Sequence, residues 1–156
     1  MPAFNQVWSR AFEGRVPATT FWPTSTPGFA IEDARVEINL VAYTGSAQRI
    51  EVKEAAPHLC DGFLAAIRAG DLLFVSGLAG ATPALADAIC EKAGTRLENV
   101  LRIQQAHTGL KGFRRACAAW QKRLPKRPLP ICAFQVPKPL LVPRASAHLD
   151  LWVYCP

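Results

Sequence analysis

Seven basic side chains fall between positions 111 and 127: Lys111, Arg114, Arg115, Lys122, Arg123, Lys126 and Arg127. The whole chain carries a formal charge of +6. A cationic stretch of this kind can hold phosphate-rich partners or draw in anionic small molecules. Its plainer reading is a solvated helix face and the loop after it. Other residue types able to do chemistry are scattered. His58, His107 and His148 stand in no arrangement with a serine and an acid that resembles a nucleophile triad, so they read as surface or packing residues. Cys60, Cys90, Cys117, Cys132 and Cys155 are widely spaced, with no C-x-x-C pair and no histidine at metal-ligand spacing. Reduced thiols acting as small buried hydrophobes are expected. Cys132 lies in a strand-like run, where an inert buried thiol is the first reading and a reactive one the second. No glycine-rich phosphate loop is present.

The elements that must position these residues are legible from periodicity. The 156 residues, 50% of them hydrophobic, have material for one domain with an extra half. No apolar run approaches the roughly 18 residues that span a bilayer, and the start lacks the basic, apolar and small-residue pattern of a signal peptide, so a cytoplasmic protein is expected. Phe4, Val7, Trp8, Ala11 and Phe12 share one helical stripe, which Gly14 ends. Ala18 to Thr24 and Val36 to Tyr43 read as strands, the second alternating apolar residues with Glu37 and Asn39. After a small, polar connection at Thr44 to Gln48, Ile50 to Glu54 alternates as a strand would. Phe63 to Arg68 then leads through Ala69-Gly70-Asp71 into the run Leu72 to Gly77, a predicted hairpin. Thr82 and Pro83 predict a helix start and Gly94 its end. Asn99 to His107 reads as a strand, and Phe113, Cys117, Trp120 and Leu124 form another helical stripe. Ile131 to Val136 and Ser146 to Tyr154 close the chain as strands.

Part of this order occurs twice. Phe4, Trp8, Phe12, Pro17 to Phe21 and Val36 to Tyr43 return as Phe113, Trp120, Leu124, Pro130 to Val136 and Ala147 to Tyr154; Tyr43 and Tyr154 are 111 positions apart. A repeat this long is domain-sized. Residues 1–48 therefore read as the C-terminal half of a first unit (helix, strand, strand) and residues 49–156 as a complete second one, β-β-β-α-β-α-β-β. The fold class is α+β, a mixed sheet with two helices on one face.

The run Ala66-Ile67-Arg68-Ala69-Gly70-Asp71-Leu72-Leu73-Phe74-Val75-Ser76-Gly77 resembles the hairpin signature of the RidA/YjgF family. Glu91 to Gly94 with Leu97 to Val100 resembles the family's helix end and following strand, and Asp33 to Ile38 its last strand. The resemblance implies a chorismate-mutase-like fold, a trimer, and imine or enamine deaminase activity in pockets between subunits. It also implies that Met1 corresponds to an interior position of a longer tandem protein, whose front half is absent, dispensable or carried by another polypeptide. In the family an arginine grips the substrate carboxylate, a glutamate of the last strand positions water, and an aromatic hydroxyl, a serine and an asparagine complete the pocket.

Carried over by position, the arginine falls on Thr19 in the first copy and Ile131 in the second, and neither can charge-pair a carboxylate. The glutamate is Glu37 in the first copy, catalytic by this resemblance, and His148 in the second. The alternation of a half-exposed strand accounts for Glu37 equally well. The asparagine is Asn5, with Cys117 in the second copy; Ser76 is kept, and Phe63 holds the aromatic position. Asn5, Thr19, Phe63, Ser76 and Ile131 are thus the substrate-binding expectations, and Arg35, Arg68 or Arg144 are candidates for a replacement cation. A composite pocket would join Glu37 and Asn5 to Ser76 and Phe63. No metal or organic cofactor is needed for this chemistry. The expected partners are a small carboxylated molecule and further copies of the chain, or a missing upstream half. Three function classes follow: a RidA-type hydrolase, a non-catalytic binding or structural subunit, and a nucleic-acid-associated protein, the last also suggested by the family's association with translation inhibition and RNA cleavage.

Overall fold

The β-rich part of the chain is one sheet with a helical layer on a single side. The computed structural model describes residues 2–13, 15–24, 36–53, 64–80, 82–138, 140, 142 and 144–156. Helix α1 (Pro2–Ala11) is followed by β1 (Arg49–Val52), β2 (Ala66–Ala69), β3 (Leu72–Ala79), α2 (Pro83–Lys92), β4 (Val100–His107), α3 (Lys111–Arg123), β5 (Ile131–Gln135) and β6 (Ala147–Tyr154). The strands form a six-stranded sheet in the order β1-β2-β3-β6-β4-β5. Only β4 and β5 run parallel, connected across α3; the other neighbours are antiparallel. From β1 onward the element order is the one read from periodicity.

Local chemistry explains the boundaries. Ala69 pairs with Leu72, leaving a two-residue turn in which Gly70 takes φ +62, a left-handed conformation that suits glycine. Pro83 begins α2 where its missing N–H is no loss, but Thr82, at the cap position, makes no side-chain cap hydrogen bond. Gly94, at φ +73, ends the helix in a Schellman arrangement: the Thr95 N–H donates to Cys90 O and the Gly94 N–H to Glu91 O.

Strand alternation sends one set of side chains into the helical layer. Leu73, Val75, Leu149, Leu151, Val153 and Ile103 bury themselves against Ala86, Ile89 and Cys90 of α2 and Trp120 of α3. Gln105 and His107 also lie in this layer, where the His107 ring meets Phe113 edge-on and its Nε2 is 2.9 Å from Gln105 Oε1. Polar pairs pin α3 from outside. Arg123 donates to both carboxylate oxygens of Asp87 at 2.7 Å and to Glu98, and Arg127 donates to the carbonyls of Glu98 and Val100.

The two strands expected in residues 18–24 and 36–43 are not formed. Residues 15–24 lie across the helix-free face of the sheet instead of along an edge. Arg49 Nη1 donates to Arg15 O and its Nη2 to Val16 O, so the segment starts over β1. The Gly77 N–H donates to Thr19 O over β3, and Trp22 packs on His148 of β6 and Phe134 of β5. Crossing the strands leaves no ladder to join. Pro17 and Pro23 also lack the N–H a ladder would use. Residues 36–43 are exposed throughout and pair with no strand among the described residues, where β6 fills the place between β3 and β4.

The crossing requires an absent side chain. A Cβ at Gly77 would sit 2.9 Å from Thr20 Cγ2 and 3.3 Å from Thr20 Cα. Gly77→Ala is expected to push the segment off the face at a cost of about 1–3 kcal/mol, measured by urea unfolding. An unchanged midpoint would contradict this close approach.

Candidate functional site

The helix-free face carries the polar chemistry. Along β6, alternation turns His148, Asp150 and Trp152 to this side, opposite the buried Leu149, Leu151 and Val153. Register then sets Ala106, Gln104 and Arg102 of β4 beside those three in turn. A one-residue bulge between Val75 and Leu78 distorts β3 where it passes Ser76 and Gly77. The crossing segment closes over this ground from above.

Ser76 and Thr19, two of the residues carried over from the family pattern, meet here. The Ser76 hydroxyl donates to Leu64 O at 2.6 Å and accepts from the Thr19 N–H at 3.1 Å, while the Thr19 hydroxyl donates to Pro17 O. Ser76 is buried, so this hydroxyl anchors the crossing segment to β3. The other expected residues lie apart from this pair. Glu37 is exposed and accepts a hydrogen bond from Asn39 Nδ2 at 3.1 Å. Asn5 is half-buried on α1, which reaches the crossing segment through an edge-to-face contact of Phe4 with Phe21. Ile131 packs against the helix-side core. Phe63 lies outside the described residues, as do His58, Cys60 and Arg35. Of the other candidate cations, Arg68 donates to Gly70 O and Ala93 O, and Arg144 is exposed.

A different cation faces an acid on this surface. Arg102 Nη1 stands 3.7 Å from Asp150 Oδ1, and the guanidinium lies over the Trp152 ring, 4.9 Å from its centroid. Phe74 meets Trp152 edge-on and supports the ring from β3. Among the described residues Arg102 donates no hydrogen bond at ordinary distance, so its fork of N–H groups is free to bind an anion. Its side chain is 37% exposed and that of Asp150 11%.

Burial pushes the Asp150 carboxyl up to about 6, with the Arg102 charge and a hydrogen bond from the Thr20 hydroxyl working against the rise. Both protonation states are therefore populated close to neutral pH. Burial lowers His148 from its usual value and so favours the neutral imidazole, against a hydrogen bond with the Phe21 backbone. The thiols add little: Cys90 is pushed up to about 12, mainly by burial, and Cys132 is exposed on β5. Sequence reasoning missed Asp150, Arg102 and Thr20. The alternation of His148, Asp150 and Trp152 was the available signal for the first, but the pairing of Arg102 with Trp152 needs the register.

Solved structures share this architecture. Yeast Mmf1 is 12% identical, with a TM-score of 0.58, over 70% of this chain and 100% of that one. Rv2704 from Mycobacterium tuberculosis, a member of the YjgF/YER057c/UK114 family, is 21% identical, with a TM-score of 0.57, over 69% of this chain and 99% of its own. NMB1025 from Neisseria meningitidis, a member of the YjgF protein family, is 14% identical, with a TM-score of 0.55, over 70% and 97%. No sequence-family model and no curated protein matches the chain. The fold is that of the YjgF proteins, the chorismate-mutase-like α+β sheet. Among the described residues no helix is long and apolar enough to cross a membrane.

The raised Asp150 carboxyl has a consequence for stability. Its folded value of about 6 exceeds its unfolded value of 3.8, so the folded state holds the proton more tightly. The stabilisation is complete below pH 4 and is lost as pH rises through 6. Asp150→Asn removes this loss. The variant is expected to match the parent near pH 4 and to exceed it by about 2–3 kcal/mol at pH 8, read from denaturant unfolding at both pH values. A difference that does not change with pH would contradict the buried-carboxylate assignment.

Proposed function

We propose that this chain is a RidA/YjgF-type protein that binds a small carboxylated molecule on the helix-free face and hydrolyses an imine or enamine there. The observation that carries the reading is the Arg102–Asp150 pair: a half-exposed guanidinium stacked on Trp152, 3.7 Å from a carboxyl that burial pushes up to about 6. Arg102 takes the place of the family's carboxylate-gripping arginine, which this sequence lacks at Thr19 and Ile131. Asp150 takes a proton from water as the oxygen attacks the C=N carbon and returns it to the nitrogen, giving a carbinolamine. It then relays the carbinolamine hydroxyl proton to the nitrogen as the C–N bond breaks. Imine and water become carbonyl compound and ammonia, with no net proton consumed. Thr20 orients the carboxyl. Ser76 and Thr19 act as positioning residues, because their hydrogen bond holds Thr20 over Asp150.

Further copies of the chain, a trimer by resemblance, would bring Glu37 and Asn5 of one subunit toward the face of another. Glu37 is then a rival for the acid–base role. A second reading, a non-catalytic ligand-binding or structural subunit, is favoured by Ile131, which packs into the core at one of the positions where the arginine would stand. Nucleic-acid binding ranks below both, since Arg123 and Arg127 of the basic segment are already held by Asp87, Glu98 and Val100.

An imino-acid hydrolysis assay separates these readings. Asp150→Asn is expected to lower turnover by about 10²–10⁴-fold, and Arg102→Met to raise KM for carboxylated imines while leaving uncarboxylated ones unaffected. Glu37→Gln should leave turnover within about twofold. Activity that survives Asp150→Asn and disappears with Glu37→Gln would transfer the role to Glu37. Carboxylate binding that needs Arg102, without hydrolysis of any imine, would establish the non-catalytic reading.

A further inference from the structure

Residues 36–43 read Val-Glu-Ile-Asn-Leu-Val-Ala-Tyr, and β6, 111 positions further on, reads Ala-His-Leu-Asp-Leu-Trp-Val-Tyr. The two agree in polarity at almost every position. Val36, Ile38, Leu40 and Ala42 correspond to Ala147, Leu149, Leu151 and Val153, of which the last three pack into the helical layer and Ala147 is buried. Glu37 and Asn39 correspond to His148 and Asp150 on the other face.

The surroundings of the two segments are opposite. Leu149, Leu151 and Val153 are at most 1% exposed, whereas Val36, Ile38 and Leu40 are 55%, 51% and 68% exposed. β6 is hydrogen-bonded along both edges, to β3 and to β4. Residues 36–43 belong to no strand. They cannot enter this sheet, because the place between β3 and β4 is taken. Nor do its lateral edges suit them: β1 and β5 each offer one edge, while a sequence matched to β6 calls for a strand on both sides. A run of exposed apolar residues with strand alternation is the signature of a missing binding partner.

We propose that residues 36–43 are the central strand of a second, incomplete sheet, completed by a polypeptide segment outside these 156 residues that supplies counterparts of β1 to β4 and α2. Such a segment supplies counterparts of β3 and β4 with a gap between them, and a counterpart of α2 to cover the apolar side. Val36, Ile38 and Leu40 insert toward that helix, and the backbone of 36–43 pairs on both sides. Helix α1, the counterpart of α3 in the repeat, joins that helical side and covers its own exposed Val7. This inference rests on the repeat and not on the Arg102–Asp150 reading, so either can fail alone.

The test uses the full chain with a separately tagged polypeptide of residues 49–107 as the probe. Alone, the chain is expected to exchange the amide hydrogens of 36–43 at the rate of an unstructured peptide. Co-expressed with the probe, it should co-purify, and those amides should slow at least about 100-fold through ladder formation. Leu40→Asp should abolish the complex while Leu40→Ile keeps it; position 40 is exposed in the chain alone, so circular dichroism should stay unchanged for both. Failure of the probe to co-purify overturns the proposal. So does a complex that tolerates Leu40→Asp, or protection of 36–43 in the chain alone, which would mean that a second copy already covers the segment.

Discussion

The helix-free face depends on one close approach: backbone against backbone where residues 15–24 pass over β3 at Gly77. The crossing has no ladder behind it. It is held by a bond from the Gly77 N–H to Thr19 O, by the Ser76 hydroxyl under the Thr19 N–H, and by Arg49 gripping the start of the segment. A side chain at position 77 would separate the layers. Separation would expose what lies beneath, a carboxyl, an imidazole and the small apolar cluster of Ala106, Val136 and Leu140. The bulge in β3 belongs to the same device, since it changes the side-chain alternation where Ser76 and Gly77 receive the segment.

Covering that face has an electrostatic cost. Asp150 lies on the Trp22, Phe134 and Trp152 side of the sheet beside the Arg102 cation, and desolvation outweighs what Arg102 and Thr20 return. A sequence selected only for stability would carry a neutral residue there. Its neighbour Arg102 keeps contact with solvent, so the pair couples a proton-exchanging group inside the cover to an anion-binding group at its margin. Residues that lower stability and sit together in this way are where function is expected to reside.

The sheet was legible in the sequence wherever the information was local. Gly70 marks the hairpin turn, Pro83 and Gly94 bracket α2, and the stripe of Phe113, Cys117, Trp120 and Leu124 gives α3, because each depends on backbone conformation or on one helical face. Residues 18–24 and 36–43 have equally strand-like composition and are not strands here. Strand formation needs a neighbouring edge that suits both the path of the segment and its sidedness, which composition does not report. The same limit applied to the site. The family pattern singled out Thr19 and Ser76 separately, but their hydrogen bond comes from the crossing of residues 15–24 over β3, and the approach of Arg102 to Asp150 depends on a register that includes a bulge between Val100 and Arg102. Alternation along 147–154 does select Asp150 as facing the polar side, but not its burial, which comes from a segment more than a hundred positions earlier.

The central claim is that a covered carboxyl and an uncovered guanidinium work as a pair. The most direct measurement is a carbon-13 NMR titration of the Asp150 carboxyl in the parent chain and in Arg102→Met. The account predicts a midpoint near 6 in the parent, and a higher one once the guanidinium is removed. A midpoint near 4 that does not respond to the loss of Arg102 would contradict it.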